Sequence, residues 1–217
     1  MTTLADVIEA VARAVTAARD DLNRLDGVAG DGDLGITMSV AAQAVIEVAG
    51  DGTSAGDGAD ADALLRRMGL AIAQRAPSTG GTLLATALLA ASRVGPSAES
   101  AVAGIFRRAR AAQLAIEERG GAKVGDKSML DAIYPAVQSL QRDAEDGVAL
   151  DDALAHAAAA AREGAQSTRD LEPRVGRAGW LAERSRGAED AGAHLVALAF
   201  EAAAQAVAPA EPQSGGR

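Results

Sequence analysis

Three carboxylates, Asp26, Asp31 and Asp33, fall close together in the run Asp26-Gly-Val-Ala-Gly-Asp-Gly-Asp33. Held near one another they repel unless a cation joins them. Asp31 and Asp33 are two residues apart, so an extended or turning backbone points them the same way. Gly30, Gly32 and Gly35 permit the curvature that brings Asp26 alongside. Carboxylates without nitrogen or sulfur donors suit Mg²⁺, an ion that commonly shares its shell with phosphates. By itself an Asp/Gly loop reads equally well as a solvated turn, as does Asp51-Gly-Thr-Ser-Ala-Gly-Asp57-Gly. What distinguishes the first loop is its company elsewhere in the chain.

Pro77-Ser78-Thr79-Gly80-Gly81-Thr82 runs directly into an apolar helical stretch, collecting hydroxyls and glycine N–H groups at a helix start. That is a seat for an anion, or an ordinary Ser/Thr cap. Gly120 through Asp131 again brings glycine, Lys127 and Ser128 to a helix start, with Met129 and Leu130 readable as core or as a surface for a flat ring. A long connection, Gly176 through Gly192, concentrates arginines, the lone Trp180 and Asp190. Arg177 there could grip phosphate bidentately or join an exposed network with Glu183.

Three superficial motif matches fail on chemistry. Gly30-Asp-Gly-Asp-Leu-Gly35 spells G-x-G-x-x-G, yet its aspartates would repel a bare pyrophosphate and no strand precedes it. As a calcium loop, Asp31-Gly-Asp33 lacks the twelfth-position Glu, where Ala42 stands. The Gly121–Ser128 run has the wrong spacing for a P-loop. His156 and His194 read as structural, and no Ser-His-Asp or Cys-His arrangement is visible.

The elements that must position these loops read as helices. Of 217 residues 48% are hydrophobic but only 2% aromatic, a core of Ala, Leu, Val and Ile that favours close-packed helices. A single all-α domain over 1–207 is expected, with a flexible tail at 208–217. Leu4, Val7, Ile8, Val11, Val15, Ala18, Leu22 and Leu25 form one stripe, predicting a long first helix that ends at the aspartate loop. Further helices are expected near 35–48, 59–75, 81–94, 97–119, 128–145, 150–167 and 190–207, about eight in all. In an up-and-down arrangement every second connection lies at one end, so loops distant in sequence can meet around one ligand. The net charge of −9 argues against nucleic-acid binding, and the lack of cysteine excludes disulfides and thiolate metal sites. With no leader-like start or apolar span, a cytoplasmic protein without membrane attachment is expected.

Taken in order, these loops resemble the nucleotide-binding L subunit of dihydroxyacetone kinase, the DhaL or Dak2 type. The family's Asp-x4-Asp-x-Asp motif is matched by Asp26, Asp31 and Asp33, and its Ser/Gly loop by Ser78 to Gly81. Its Gly-Asp-Lys-Thr-Met-Leu-Asp looks like Gly125 to Asp131, and its late Gly-Arg-Ala signature like Gly176 to Ser185. The resemblance implies a barrel of eight antiparallel helices with ADP or ATP at one end. It further implies two Mg²⁺ ions on the three aspartates, and a site formed by Leu34, Thr37, Ser78, Thr79, Gly80, Gly81, Gly125, Lys127, Ser128, Met129, Arg177, Asp190 and Gly192. Arg177 is the implied catalytic group. The implied partner is a separate K subunit that holds a ketose, with ATP or a phosphotransferase-system M subunit as phosphoryl source. Leu34 and Thr37 depart from the family's usual His and Asn, and Ala191-Gly192 from its Pro-Gly. These changes leave room for a four-carbon ketose substrate. Other readings are a regulatory nucleotide-binding protein that docks a partner and a fatty-acid-kinase-like domain.

Overall fold

Helix α1 (Leu4–Ala17) starts on a capping box: the Thr3 hydroxyl accepts the Asp6 amide at 3.2 Å while Asp6 accepts the Thr3 amide at 2.8 Å. In the computed structural model, which describes residues 2–50, 58–96, 99–174 and 185–209, the apolar stripe does not form one helix. The chain turns at Ala18 (φ −84°, ψ 7°) and continues as α2 (Arg19–Ala29). A stripe repeating every three or four residues passes unbroken across such a joint, so periodicity could not reveal it. The expected end was also early. Asp26 lies in the last turn of α2, and only Gly30 to Asp33 separate that helix from α3 (Leu34–Gly50).

The chain continues through α4 (Gly58–Arg75), α5 (Thr79–Ala91), α6 (Ala101–Gly120), α7 (Leu130–Asp146) and α8 (Leu150–Ser167). A single 3₁₀ turn (Thr168–Asp170) follows, and the last helix is α9 (Ala191–Val207). Among the described residues every element is helical, and no helix is long and apolar enough to cross a membrane. Side-chain oxygens set several starts: Ser78, Ser100 and Asp190 accept the amides of Gly81, Ala103 and Ala193. Gly121 and Gly147, both left-handed, end α6 and α7.

From α3 onward each helix packs on the next, and α9 returns to α1, so α1 and α3 to α9 close a ring of eight. Helix α2 lies beside α3 and α9. The ring encloses an apolar cavity of about 370 Å³, lined from Val11, Met38, Ile72, Leu84, Ile133 and Phe200 among others.

Where α7, α8 and α9 meet, the seam is made of alanine: Ala132, Ala136, Ala153, Ala157, Ala161, Ala165, Ala193 and Ala197 are fully buried. Residues this small let helix axes approach to the short end of the usual ~8–10 Å range. One contact is closer still. Pro135 lacks the N–H that would bond the Asp131 carbonyl, and Gly164 of α8 packs against that carbonyl. A β-carbon on Gly164 would lie 2.2 Å from the Asp131 oxygen and 2.8 Å from Pro135 Cγ. Gly164→Ala is therefore expected to destabilise the fold by roughly 1–3 kcal/mol, although alanine is the better helix former. Urea unfolding of the variant checks this; a gain in stability would contradict the packing.

Candidate functional site

Four helix N-termini converge on one pocket of about 560 Å³: Leu34 and Thr37 from α3, Ser78 to Gly80 at α5, Ser128 to Leu130 at α7, and Asp190 to Gly192 at α9. Gly120, at the C-terminal end of α6, lines it as well, so α5 and α7 run antiparallel to the helix between them. Every second helix of the ring thus begins at this end. The unpaired N–H groups of a helix's first turn carry partial positive charge, so four starts around one cavity favour an anionic ligand.

The aspartates sit at the α2–α3 joint. The Asp26 carboxylate accepts the amides of Gly32 at 2.8 Å and Asp33 at 3.0 Å, winding the short connection around itself. Gly32 is left-handed there (φ 76°), a conformation glycine adopts without a steric penalty. Asp33 accepts the Thr37 amide through its carbonyl, and Asn23 of α2 accepts the Ile36 amide through Oδ1 at 3.2 Å. Gly35 lets α3 start against α2, since a β-carbon there would lie 1.9 Å from the Arg19 carbonyl oxygen. The outcome is that carboxylate oxygens of half-buried Asp26 and exposed Asp31 and Asp33 lie within 4.8 Å of one another. That all-oxygen donor set fits a hard divalent cation.

Opposite them, Ser78 caps α5 by accepting the Gly81 amide at 3.0 Å, and Gly80 abuts Leu34 and Met38. The 125–128 loop winds around Asp131, whose carboxylate accepts the amides of Gly125 and Ser128. Lys127 turns inward with a left-handed backbone (φ 59°), and its ammonium donates to the carbonyls of Thr168, Ser185 and Ala188. Burial lowers the Lys127 pKa, while the charges of Asp190 and Asp170 act the other way. Met129 faces Gly192, whose β-carbon position is 3.3 Å from Met129 Cβ.

Of the residues singled out from the sequence, the structure brings Asp26, Asp31, Asp33, Leu34, Thr37, Ser78, Thr79, Gly80, Lys127, Ser128, Met129, Asp190 and Gly192 to the pocket wall. Gly81 and Gly125 act one step back, shaping the α5 start and the loop before α7. Leu130 is core, 1% exposed. Arg177, with Trp180 and Glu183, lies outside the described residues. Sequence reasoning missed Asn23 and Glu189. Asn23, one turn before Asp26, lies within the helix expected there, but its part as acceptor for the Ile36 amide depends on how α2 and α3 meet, which no residue type marks. Glu189 is buried in the wall and pairs with Arg169 and His194, each at 2.8 Å. Burial pushes its carboxyl up, but the His194 hydrogen bond and the charges of His194, Arg169 and Arg162 outweigh this and hold it below the usual range.

With this geometry in view, the relatives are informative. The DAK2 domain family matches residues 28–205. The chain is 38% identical over 205 residues to a D-erythrulose kinase of Mycolicibacterium smegmatis, covering 94% of this chain and 35% of that protein. It is 31% identical over 176 residues to the ADP-binding subunit DhaL of the PEP-dependent dihydroxyacetone kinase of Escherichia coli, covering 81% of this chain and 82% of the subunit. The fold matches the crystal structure of the dihydroxyacetone kinase of C. freundii with a TM-score of 0.71 and 25% identity, over 93% of this chain and 34% of that one. A second structure of that enzyme, in complex with AMP-PNP and Mg²⁺, gives 0.72 at 24% identity, over 93% of this chain and 33% of that one. The chain spans about a third of the length of the erythrulose kinases it matches. It belongs to the DAK2 domain family, and within it is a DhaL-type domain.

Asp190 provides a test of the wall's electrostatics. Burial raises its carboxyl to about 6. The Ala193 amide opposes that shift, nearby Asp131 adds to it, and Lys127 and the Gly192 amide oppose it. A raised carboxyl pKa means the fold favours the protonated form, so in the ligand-free protein the contribution of Asp190 to stability falls as pH rises from about 4 to 6 and then levels off. Asn caps a helix as well as Asp does but carries no charge. Thermal melts should therefore show Asp190→Asn gaining on the wild type across that window, by roughly 2–3 kcal/mol at the plateau. A gap that shrinks with rising pH would be the contrary result.

Proposed function

We propose that this chain binds a magnesium complex of ADP or ATP and serves phosphoryl transfer to a ketose held by a separate K subunit or domain. The observation that carries the reading is the meeting of four helix N-termini over three clustered carboxylates. One half of that arrangement attracts phosphate and the other attracts a cation, so neither fits a ligand lacking both. The relatives are named as kinases, including an ADP-binding subunit and kinases of erythrulose, which supports a ketose of three or four carbons as acceptor.

In this reading Asp26, Asp31 and Asp33 hold two Mg²⁺ ions. The bound metal neutralises phosphate charge, and in-line transfer then rests chiefly on positioning. Asp26 is oriented by the amides of Gly32 and Asp33, so its free lone pairs face the cavity. The first turn of α5, with Ser78 and Thr79, and the Ser128 hydroxyl before α7 cradle the phosphates. Met129, opposite Gly192, supplies an apolar face for the base. Leu34 and Thr37, at the start of α3, shape the wall where the family usually has polar groups. Arg177 stabilises charge that develops on the transferred group, an assignment that rests on its Gly-Arg-Ala motif. The hydroxyl to be phosphorylated arrives from the K partner, with ATP or an M subunit renewing the phosphoryl group.

Calorimetric titration with Mg-ADP tests the core of this. Asp31→Ala and Asp33→Ala should each weaken binding by about 10- to 100-fold, the worth of a charge-assisted contact. Either variant binding as tightly as the wild type would overturn the proposal.

A further inference from the structure

Lys127 has the residue type and place of a phosphate ligand, yet its geometry assigns it different work. Its Nζ lies 2.7 Å from the Thr168 carbonyl oxygen, 2.9 Å from that of Ser185 and 2.8 Å from that of Ala188. An ammonium has three hydrogens, so these contacts fill its donor capacity. The residue is 5% exposed, and its backbone takes a left-handed conformation that glycine would adopt more easily. The strain is kept together with a side chain that reaches inward.

The three carbonyls belong to separate places in the chain. Thr168 follows the end of α8, while Ser185 and Ala188 precede α9. Thr168 makes a second tie, because its hydroxyl accepts the Asp190 amide at 2.9 Å. Asp190 in turn caps α9 through the Ala193 amide at 2.8 Å. One ammonium and one hydroxyl thereby fasten the 125–128 loop, the end of α8 and the start of α9 into a single unit. Ser185, Ala188, Asp190 and Gly192 of that unit form pocket wall, on elements separate from the α2–α3 joint that bears the aspartates.

Building on the nucleotide-binding reading, we propose that Lys127 is a positioning residue: it sets the α9 wall of the pocket at the spacing that admits the nucleotide, without touching phosphate. Removing it takes the ammonium from all three carbonyls, of which Thr168 and Ser185 keep only the local amides of Leu171 and Ala188, and so frees the wall while the carboxylate cluster stays in place. All contacts of the ligand with that wall weaken together, those of the nucleoside as well as those of the phosphates.

The test compares Mg-ADP with adenosine, which has no phosphate, using NMR titration for the weaker ligand. In Lys127→Met both affinities should fall by the same factor, about tenfold. Mn²⁺ binding without nucleotide, read by electron paramagnetic resonance, should stay at the wild-type value. The chain has no cysteine, so Lys127→Cys, aminoethylated while unfolded and then refolded, rebuilds a lysine-like side chain at that position alone. It should recover both affinities, whereas methylation of the same thiol should not. If Lys127→Met does not fold, Thr168→Val removes the second tie with the lysine intact and should give the same parallel loss. A fall for Mg-ADP with adenosine unchanged would overturn the proposal in favour of direct phosphate contact, and no fall for either ligand would overturn it outright. Failure of the wild type to bind Mg-ADP would count against the nucleotide reading instead.

Discussion

Like-charge repulsion is the constraint around which this end of the molecule is arranged. Asp26, Asp31 and Asp33 crowd within 4.8 Å, and Glu189 and Asp190 add two more acids to the same cavity. Such a group is tolerable only if backbone dipoles, buried partners or a cation offset it. All three devices meet here. Amides of the α2–α3 connection hold Asp26, Arg169 and His194 hold Glu189, and the α9 start holds Asp190. The exposed pair, Asp31 and Asp33, faces the mouth, where an ion would complete the balance.

The ring topology supplies the rest. Because neighbouring helices alternate in direction, one end gathers the starts of α3, α5, α7 and α9, and their partial charges oppose the acids across the cavity. Much of the wall is made of helix starts whose positions are set by helix packing, and Leu34, Gly80, Ile116 and Met129 border both this pocket and the apolar interior. Polar chemistry and hydrophobic core share a boundary only one side chain thick.

How much of this could be read from the sequence follows from what leaves a trace in residue types. Clustered carboxylates and Ser/Gly-rich helix starts do, and the pocket wall contains both. The break at Ala18 leaves none, since the apolar stripe crosses it in register, and Asp26 reads as a loop residue because its Asp/Gly run matches a turn, though it lies in the last turn of α2. Asn23 falls within the expected helix, but its partner is a backbone amide thirteen residues on. Lys127 shows the deeper limit: its partners are backbone carbonyls, which every residue carries, so no side-chain pattern marks them. Glu189 was illegible for a related reason, its partners lying at Arg169, twenty residues earlier, and on α9.

The alanine seam between α7, α8 and α9 has a consequence for how this protein responds to change. In most cores the informative truncations shorten large side chains, and replacement by alanine measures what each contributes. Here the tightly packed side is already alanine, with Gly164 at its closest point. A scan that replaces residues by alanine would pass silently over its alanines and register only at Gly164. Sensitivity would emerge only on enlargement, where a single added methyl must separate two helices. The order of robustness is thus inverted, and the smallest residues are the ones least free to vary.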